Sequence, residues 1–151
     1  MAVATVGTML DSAKEFEVVL ERFLAQIRDE GKDDKTRLLT YYLVRFKRHL
    51  PDTLKNFTED QIARIRAIPI RVIDSEFDAE RCFAGRDLSE HASAGELLET
   101  AIELIDILLS FYEWLLYQPT SGEARDLLVR LVKTEEKGLE TLRKIQGDER
   151  L

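Results

Sequence analysis

The sequence predicts an all-α fold: a four-helix bundle with a long crossover between the second and third long helices. Two patterns predict it. Apolar residues recur at the three- and four-residue spacing of a helical face. Capping boxes, in which a Ser or Thr and a Glu or Gln three residues later satisfy free backbone N–H groups, mark helix starts. The boxes are Ser12–Glu15, Thr58–Gln61, Ser93–Glu96 and Thr120–Glu123.

Five helices are expected from these starts and from the places where the apolar spacing stops. Their approximate ranges are 13–30, 34–56, 59–67, 94–118 and 121–146. Gly31 and Gly147 stand where helices commonly end. The segment 68–92 contains Pro69 and Gly85 among apolar residues, so we expect an ordered crossover with little or no strand. Residues 1–151 are expected to form one domain, with a flexible N-terminus over about residues 1–11.

The apolar face of the last helix contains one carboxylate. Its apolar members are Ala124, Leu127, Leu128, Leu131, Val132, Leu139, Leu142 and Ile145. At about 100° per residue, Glu135 falls near the midline of this face and Gly138 near its margin. A carboxylate is unexpected on a face that is meant for burial.

The other three long helices present few polar groups to the interior. The second has Phe46 on the midline of its apolar face and His49 on the margin. The first has Phe16 on the apolar face, and its acids are expected to turn outward. These acids are Glu15, Glu17 and Glu21. On the third, Ile105 and Tyr112 stack inward seven residues apart. Its acids lie on the opposite side: Glu99, Glu103, Asp106 and Glu113.

Three groups of residues resemble the second helical pair of rubrerythrin and other ferritin-like proteins. They are Ala101–Leu104, Phe111–Tyr112, and Glu135–Lys137 with Leu139. The resemblance is good over 96–145 and weak over 12–57. It implies a bundle in which two helices each supply a Glu and the other two each supply Glu-x-x-His to a di-iron site.

Most of the implied ligands are replaced. Phe16 and Ile105 stand where the resemblance places a Glu. The second helix keeps His49 but has Phe46 in place of the Glu. The fourth helix keeps Glu135 but has Gly138 in place of the His. The resemblance therefore implies a degenerate metal site.

Two functions follow from these positions. One His and one Glu make a poor site for a transition metal, which usually has three or four protein ligands. We therefore expect a non-catalytic bundle that acts through protein–protein interaction, with no cofactor and no catalytic residue. In that case Glu135 is hydrogen-bonded to a neighbour, namely His49, Tyr42 or Tyr112. The alternative is a ferritin- or rubrerythrin-like oxidoreductase or iron-handling protein. It would bind iron or manganese through His49, Glu135 and a further acid, Glu103 or Glu136.

Charge and hydropathy restrict the partners. The 22 basic and 29 acidic residues give a net charge of −7, which disfavours nucleic acids and anionic membranes. Asp106 and Glu113 interrupt the most apolar region, 104–117, so it does not predict a membrane span. No signal peptide pattern occurs, and the single Cys82 excludes an internal disulfide; a cytoplasmic protein is expected. The third long helix is apolar around most of its circumference. Either the crossover or a second copy of the chain could cover its outer side, and a homodimer is the favoured prediction.

Overall fold

The computed structural model describes residues 3–29, 49–71, 94–118 and 121–149. In these ranges the chain forms two short strands and five helices. They are β1 (Val3–Thr5), α1 (Val6–Asp29), α2 (His49–Leu54), α3 (Glu59–Arg66), β2 (Pro69–Arg71), α4 (Ala94–Tyr117) and α5 (Gly122–Glu149). The predicted all-α class is confirmed for this part of the chain. Residues 30–48 and 72–93, which include most of the expected second helix and crossover, lie outside the described residues. The ferritin-like arrangement therefore stays a prediction.

α1 begins earlier than predicted. Residues 3–11, expected to be flexible, form β1 and the first turns of α1. The helix start is a box made by two threonines: the N–H of Thr8 donates to Thr5 Oγ1 (3.2 Å), and the N–H of Thr5 donates to Thr8 Oγ1 (3.0 Å). Ser12 lies inside the helix, where its hydroxyl donates to the carbonyl oxygen of Thr8 at 3.2 Å. The Ser12–Glu15 pattern is therefore not a helix start, because a serine inside a helix can bond to the carbonyl four residues back.

The start of α1 is held against the end of α3. β1 pairs with β2 in antiparallel register, with Ala4 opposite Ile70. The N–H of Val6 donates to the carbonyl oxygen of Ile68 at 2.9 Å. A Cβ on Gly7 would lie 2.9 Å from Arg66 Cβ and 3.0 Å from the Arg66 carbonyl oxygen. Only glycine permits this approach without a shift of the backbone.

The starts of α3 and α5 are also described, and each is capped by a side-chain hydroxyl. Thr58 caps α3 as predicted: the N–H of Gln61 donates to its hydroxyl at 3.1 Å, and the Gln61 side chain accepts the N–H of Thr58 at 2.8 Å. α5 is capped by Ser121, whose Oγ accepts the N–H of Ala124 at 3.2 Å. α5 therefore begins one residue after the predicted start, and it continues past Gly147 to Glu149.

α4 and α5 form a helical hairpin, and α1, α2 and α3 pack around it. The predicted apolar face of α5 is buried as far as Leu142. On α4, every described apolar side chain except Tyr117 is buried or half-buried within the single chain. The protein itself therefore covers most of the wide apolar surface of α4. No helix in the described ranges is both long enough and apolar enough to cross a membrane.

Candidate functional site

The carboxylate predicted on the buried face of α5 is in the interior. The Glu135 side chain is 3% exposed, and its Oε1 lies 2.8 Å from Nδ1 of His49. His49 is the first described residue of α2, and its side chain is 13% exposed. The structure places His49, one of the partners predicted for Glu135, in hydrogen-bonding contact with it, whereas Tyr42, another of them, lies outside the described residues.

A second buried carboxylate comes from α1. Glu17, predicted to face outward, is 4% exposed. Its Oε1 accepts the backbone N–H of Leu50 at 3.2 Å and lies 3.5 Å from the hydroxyl of Tyr112, at the long limit for a hydrogen bond. Since Glu17 is buried, the prediction that it faces outward was wrong. Because Leu50 follows His49 in the chain, the same turn of α2 contacts both buried acids.

The early start of α1 explains this error. The predicted apolar face was drawn from Phe16 to the end of the helix. On that shorter segment Phe16 lies at the centre of the face and Glu17 lies to one side of it. The residues before Phe16 include buried Val6, Leu10 and Ala13. Glu17 continues their spacing of four, three and four residues, so the full helix places it inside the buried face.

Burial and charge both act on the ionisation of these groups. Burial, followed by the negative charge of Glu135, raises the pKa of Glu17 to about 8, against the opposing hydrogen bonds from Leu50 and Tyr112. Burial also raises the pKa of Tyr112 well above its usual value, and the charges of Glu17 and Glu135 add to this shift. Tyr112 is therefore a hydrogen-bond donor at neutral pH, and Glu17 is largely protonated there.

Four side chains from four helices thus form one interior group, which we call the polar cluster: Glu17 of α1, His49 of α2, Tyr112 of α4 and Glu135 of α5. Within the described ranges, every fully buried side-chain nitrogen or oxygen atom has a hydrogen-bond partner. The cluster can therefore hold a proton, donate and accept hydrogen bonds, and join helices.

The positions expected to have lost metal ligands are also interior. Phe16, Ile105 and Gly138 are all buried. Glu103 and Glu136, the further acids of the metal alternative, are exposed on the outer surfaces of α4 and α5. Tyr42 and Phe46 lie outside the described residues. Among the residues that the structure describes, no three or more His, Cys, Asp and Glu side chains are grouped so that they could hold a metal ion.

No family model, no curated protein and no solved structure matches the chain. The functional argument therefore depends on the geometry of the polar cluster and on the surfaces of the helices.

Proposed function

We propose that the protein is a non-catalytic, ferritin-like helical bundle with a degenerate metal site, and that it acts through contacts with other proteins. The observation that carries this proposal is the pairing inside the polar cluster. Glu135 is hydrogen-bonded to His49, and Glu17 accepts hydrogen bonds from Leu50 and Tyr112. Both interior acids thus have hydrogen-bond donors within the protein.

The neighbouring side chains support the same proposal. Phe16 and Ile105, which stand where the resemblance places carboxylate ligands, are buried in the apolar core. A phenyl ring and a branched aliphatic chain supply no ligand, and they fill volume that two ions and their solvent would need. Gly138, in place of a ligating His, adds no donor either.

Metal analysis of the purified protein tests this function. After expression in medium supplemented with iron and manganese, we expect well below one equivalent of either metal per chain. The Glu135→Gln variant is the control, because it removes the ligand charge and keeps the shape of the side chain. Two metals per chain in the wild-type protein, lost in the variant, would overturn the proposal.

The metal-dependent alternative, an oxidoreductase or iron-handling protein, would need a further ligand beside His49 and Glu135. Glu17 is a buried side chain of the right type, but these three side chains are not grouped so that they could hold a metal ion. If this alternative holds, iron or manganese should raise the melting temperature of the wild-type protein, and Glu17→Gln should reduce that shift.

The homodimer remains a proposal within the same function. Its surface would be the outer side of α4 near its C-terminal end, where Tyr117 is 84% exposed and Trp114 is half-buried. Sedimentation equilibrium tests it: a dimer has twice the 17.4 kDa mass of the chain. A mass of one chain at all concentrations would rule out the dimer and leave an unlike protein as the partner.

A further inference from the structure

The polar cluster connects the helices in a way that the rest of the core does not. Glu17 links α1 to α4 through Tyr112 and to α2 through the N–H of Leu50, while His49 links α2 to α5 through Glu135. Hydrogen bonds need a particular distance and angle, whereas aliphatic contacts tolerate many arrangements. These three contacts therefore discriminate strongly between alternative alignments of the four helices.

The surrounding core is rich in leucine. The largest fully buried side chains are Tyr112, Phe16, Ile65, Leu98, Leu104, Leu108, Leu115, Leu127, Leu128, Leu131 and Leu142. Leucine-rich packing tolerates several nearly equivalent arrangements, so it specifies a structure less sharply than hydrogen bonds do. Leucine is the commonest residue in the described core, and the choice of alignment therefore depends more on the polar contacts.

The spacing along α5 makes this concrete. Leu128 and Leu142 lie seven residues before and after Glu135, on the same helical face, and both are fully buried. A slip of seven residues along α5 would bring one of these leucines to the position of Glu135. At that position His49 would face a leucine side chain instead of its carboxylate partner. Glu135 would then lie at another buried position, away from His49.

We propose that the polar cluster is the device that selects one helix alignment in this bundle, and that it does so at a cost in stability. Buried ionisable pairs are seldom more stabilising than apolar residues of the same volume, because both groups must lose their hydration. Losing one partner is destabilising, so a slipped alignment that separates the pair is strongly disfavoured. The cluster therefore acts against wrong alignments more than it stabilises the right one.

Trp114 is a reporter for testing this. It is the only tryptophan of the chain, and its ring stacks on Phe111 at 6.1 Å between centroids. Phe111 in turn lies 6.1 Å from the ring of Tyr112, a member of the cluster. A 5-fluorotryptophan label at this position should give one ¹⁹F resonance for one packing arrangement and several for a mixture.

The experiment compares the wild-type protein with the His49→Leu/Glu135→Leu double variant. We expect the double variant to remain helical, with a melting temperature at or above that of the wild-type protein. Its ¹⁹F spectrum should show at least two resonances or one strongly broadened resonance, and it should bind the dye ANS severalfold more strongly. Glu135→Gln, which keeps a hydrogen-bonding side chain at the position, should retain a single resonance.

The matched control removes an exposed ion pair of the same helix. Lys144 and Glu140 are 3.3 Å apart on the surface of α5, and Lys144→Ala/Glu140→Ala should leave the ¹⁹F spectrum unchanged. A double variant of the buried pair with one sharp resonance and wild-type dye binding would overturn the proposal. An unfolded double variant would also overturn it, because the cluster would then be a source of stability.

Discussion

The α4–α5 hairpin and the α1–α3 region are held in place by different kinds of contact. The hairpin is joined by regular rows of leucines, and in its interior only Tyr112 and Glu135 carry polar side-chain groups among the described buried residues. The α1–α3 region adds to the buried apolar face of α1 a set of single contacts that have no periodicity. They are the β1–β2 pairing, the approach of Gly7 to Arg66, and the hydrogen bond from the N–H of Leu50 to Glu17. Regular packing should supply most of the stability, while the single contacts should determine where α1 and α2 lie.

The largest effect should come from the hairpin core. Leu128 is fully buried, and Leu128→Ala should lower the free energy of unfolding by about 4 kcal/mol, because it removes apolar contacts and leaves a cavity. Urea denaturation measures this change. The exposed Arg125 on the same helix is the control position, and Arg125→Ala should change stability by less than about 0.5 kcal/mol. Equal small effects at both positions would mean that the hairpin is not the main source of stability.

The second effect depends on pH and tests the buried acid of α1. The pKa of Glu17 is raised from 4.5 to about 8, so the folded protein holds a proton that the unfolded chain releases. The resulting stability is fully present below about pH 4.5 and is lost as the pH rises through about 8. Glu17→Gln cannot ionise, so the wild-type protein should lose on the order of 3 kcal/mol relative to this variant between pH 5 and pH 9.

Stability curves of the two proteins at several pH values make this comparison. The difference between them removes the contribution of the other titrating groups. A constant difference across the range would show that Glu17 ionises as an exposed carboxylate does.

A third, smaller effect concerns the contact between the start of α1 and the end of α3. Gly7→Ala should cost about 2 kcal/mol, because the added methyl group meets the Cβ and the carbonyl oxygen of Arg66. Gly147→Ala is the matched control: it lies inside α5 with open space around it, and it should stabilise the protein by up to about 1 kcal/mol. Thermal unfolding of both variants distinguishes the close approach from a general effect of alanine.

The smallest effect tests the pair between α2 and α5. Glu135→Gln keeps the shape of the side chain and removes its charge. Oε1 of Glu135 lies 2.8 Å from Nδ1 of His49, and a neutral amide makes a weaker hydrogen bond at this position than a carboxylate does. The variant should therefore be less stable than the wild-type protein by about 1 kcal/mol in urea denaturation. An unchanged stability would mean that the contact with His49 does not depend on the charge of Glu135.

The regular parts of the fold could be predicted from the sequence, and the single contacts could not. The apolar face of α5 and the inward positions of Ile105 and Tyr112 follow from the spacing of apolar residues alone. Each turn of a helix again places one side toward the core and the other toward solvent. His49 and Glu135 could be paired because each interrupts an apolar face. The capping box at Thr58 was identified because both of its hydrogen bonds are local in sequence.

The errors arise where the evidence is not local. The Ser12–Glu15 pattern suggested a helix start, but pairing of β1 with β2 and the threonine box at Thr5 place the start at Val6. With this earlier start, the buried face of α1 includes Glu17, which was expected on the outer surface. Nothing within a single helix predicts that Gly7 will lie against Arg66, because the contact brings together residues far apart in the chain.

The pairing of Val3–Thr5 with Pro69–Arg71 also has a consequence for the order of folding. It closes a loop that contains α1, α2 and α3, and the entropy of that loop must be lost before the pairing can form. The α4–α5 hairpin needs only the closure of a short connection, so it should be present in the folding transition state while the two strands are still apart. Gly7→Ala should then accelerate unfolding and leave the refolding rate nearly unchanged, whereas Leu128→Ala should slow refolding. The two ends of the chain would thus differ in kinetic role: the C-terminal hairpin sets how fast the protein folds, and the N-terminal strand sets how long it stays folded.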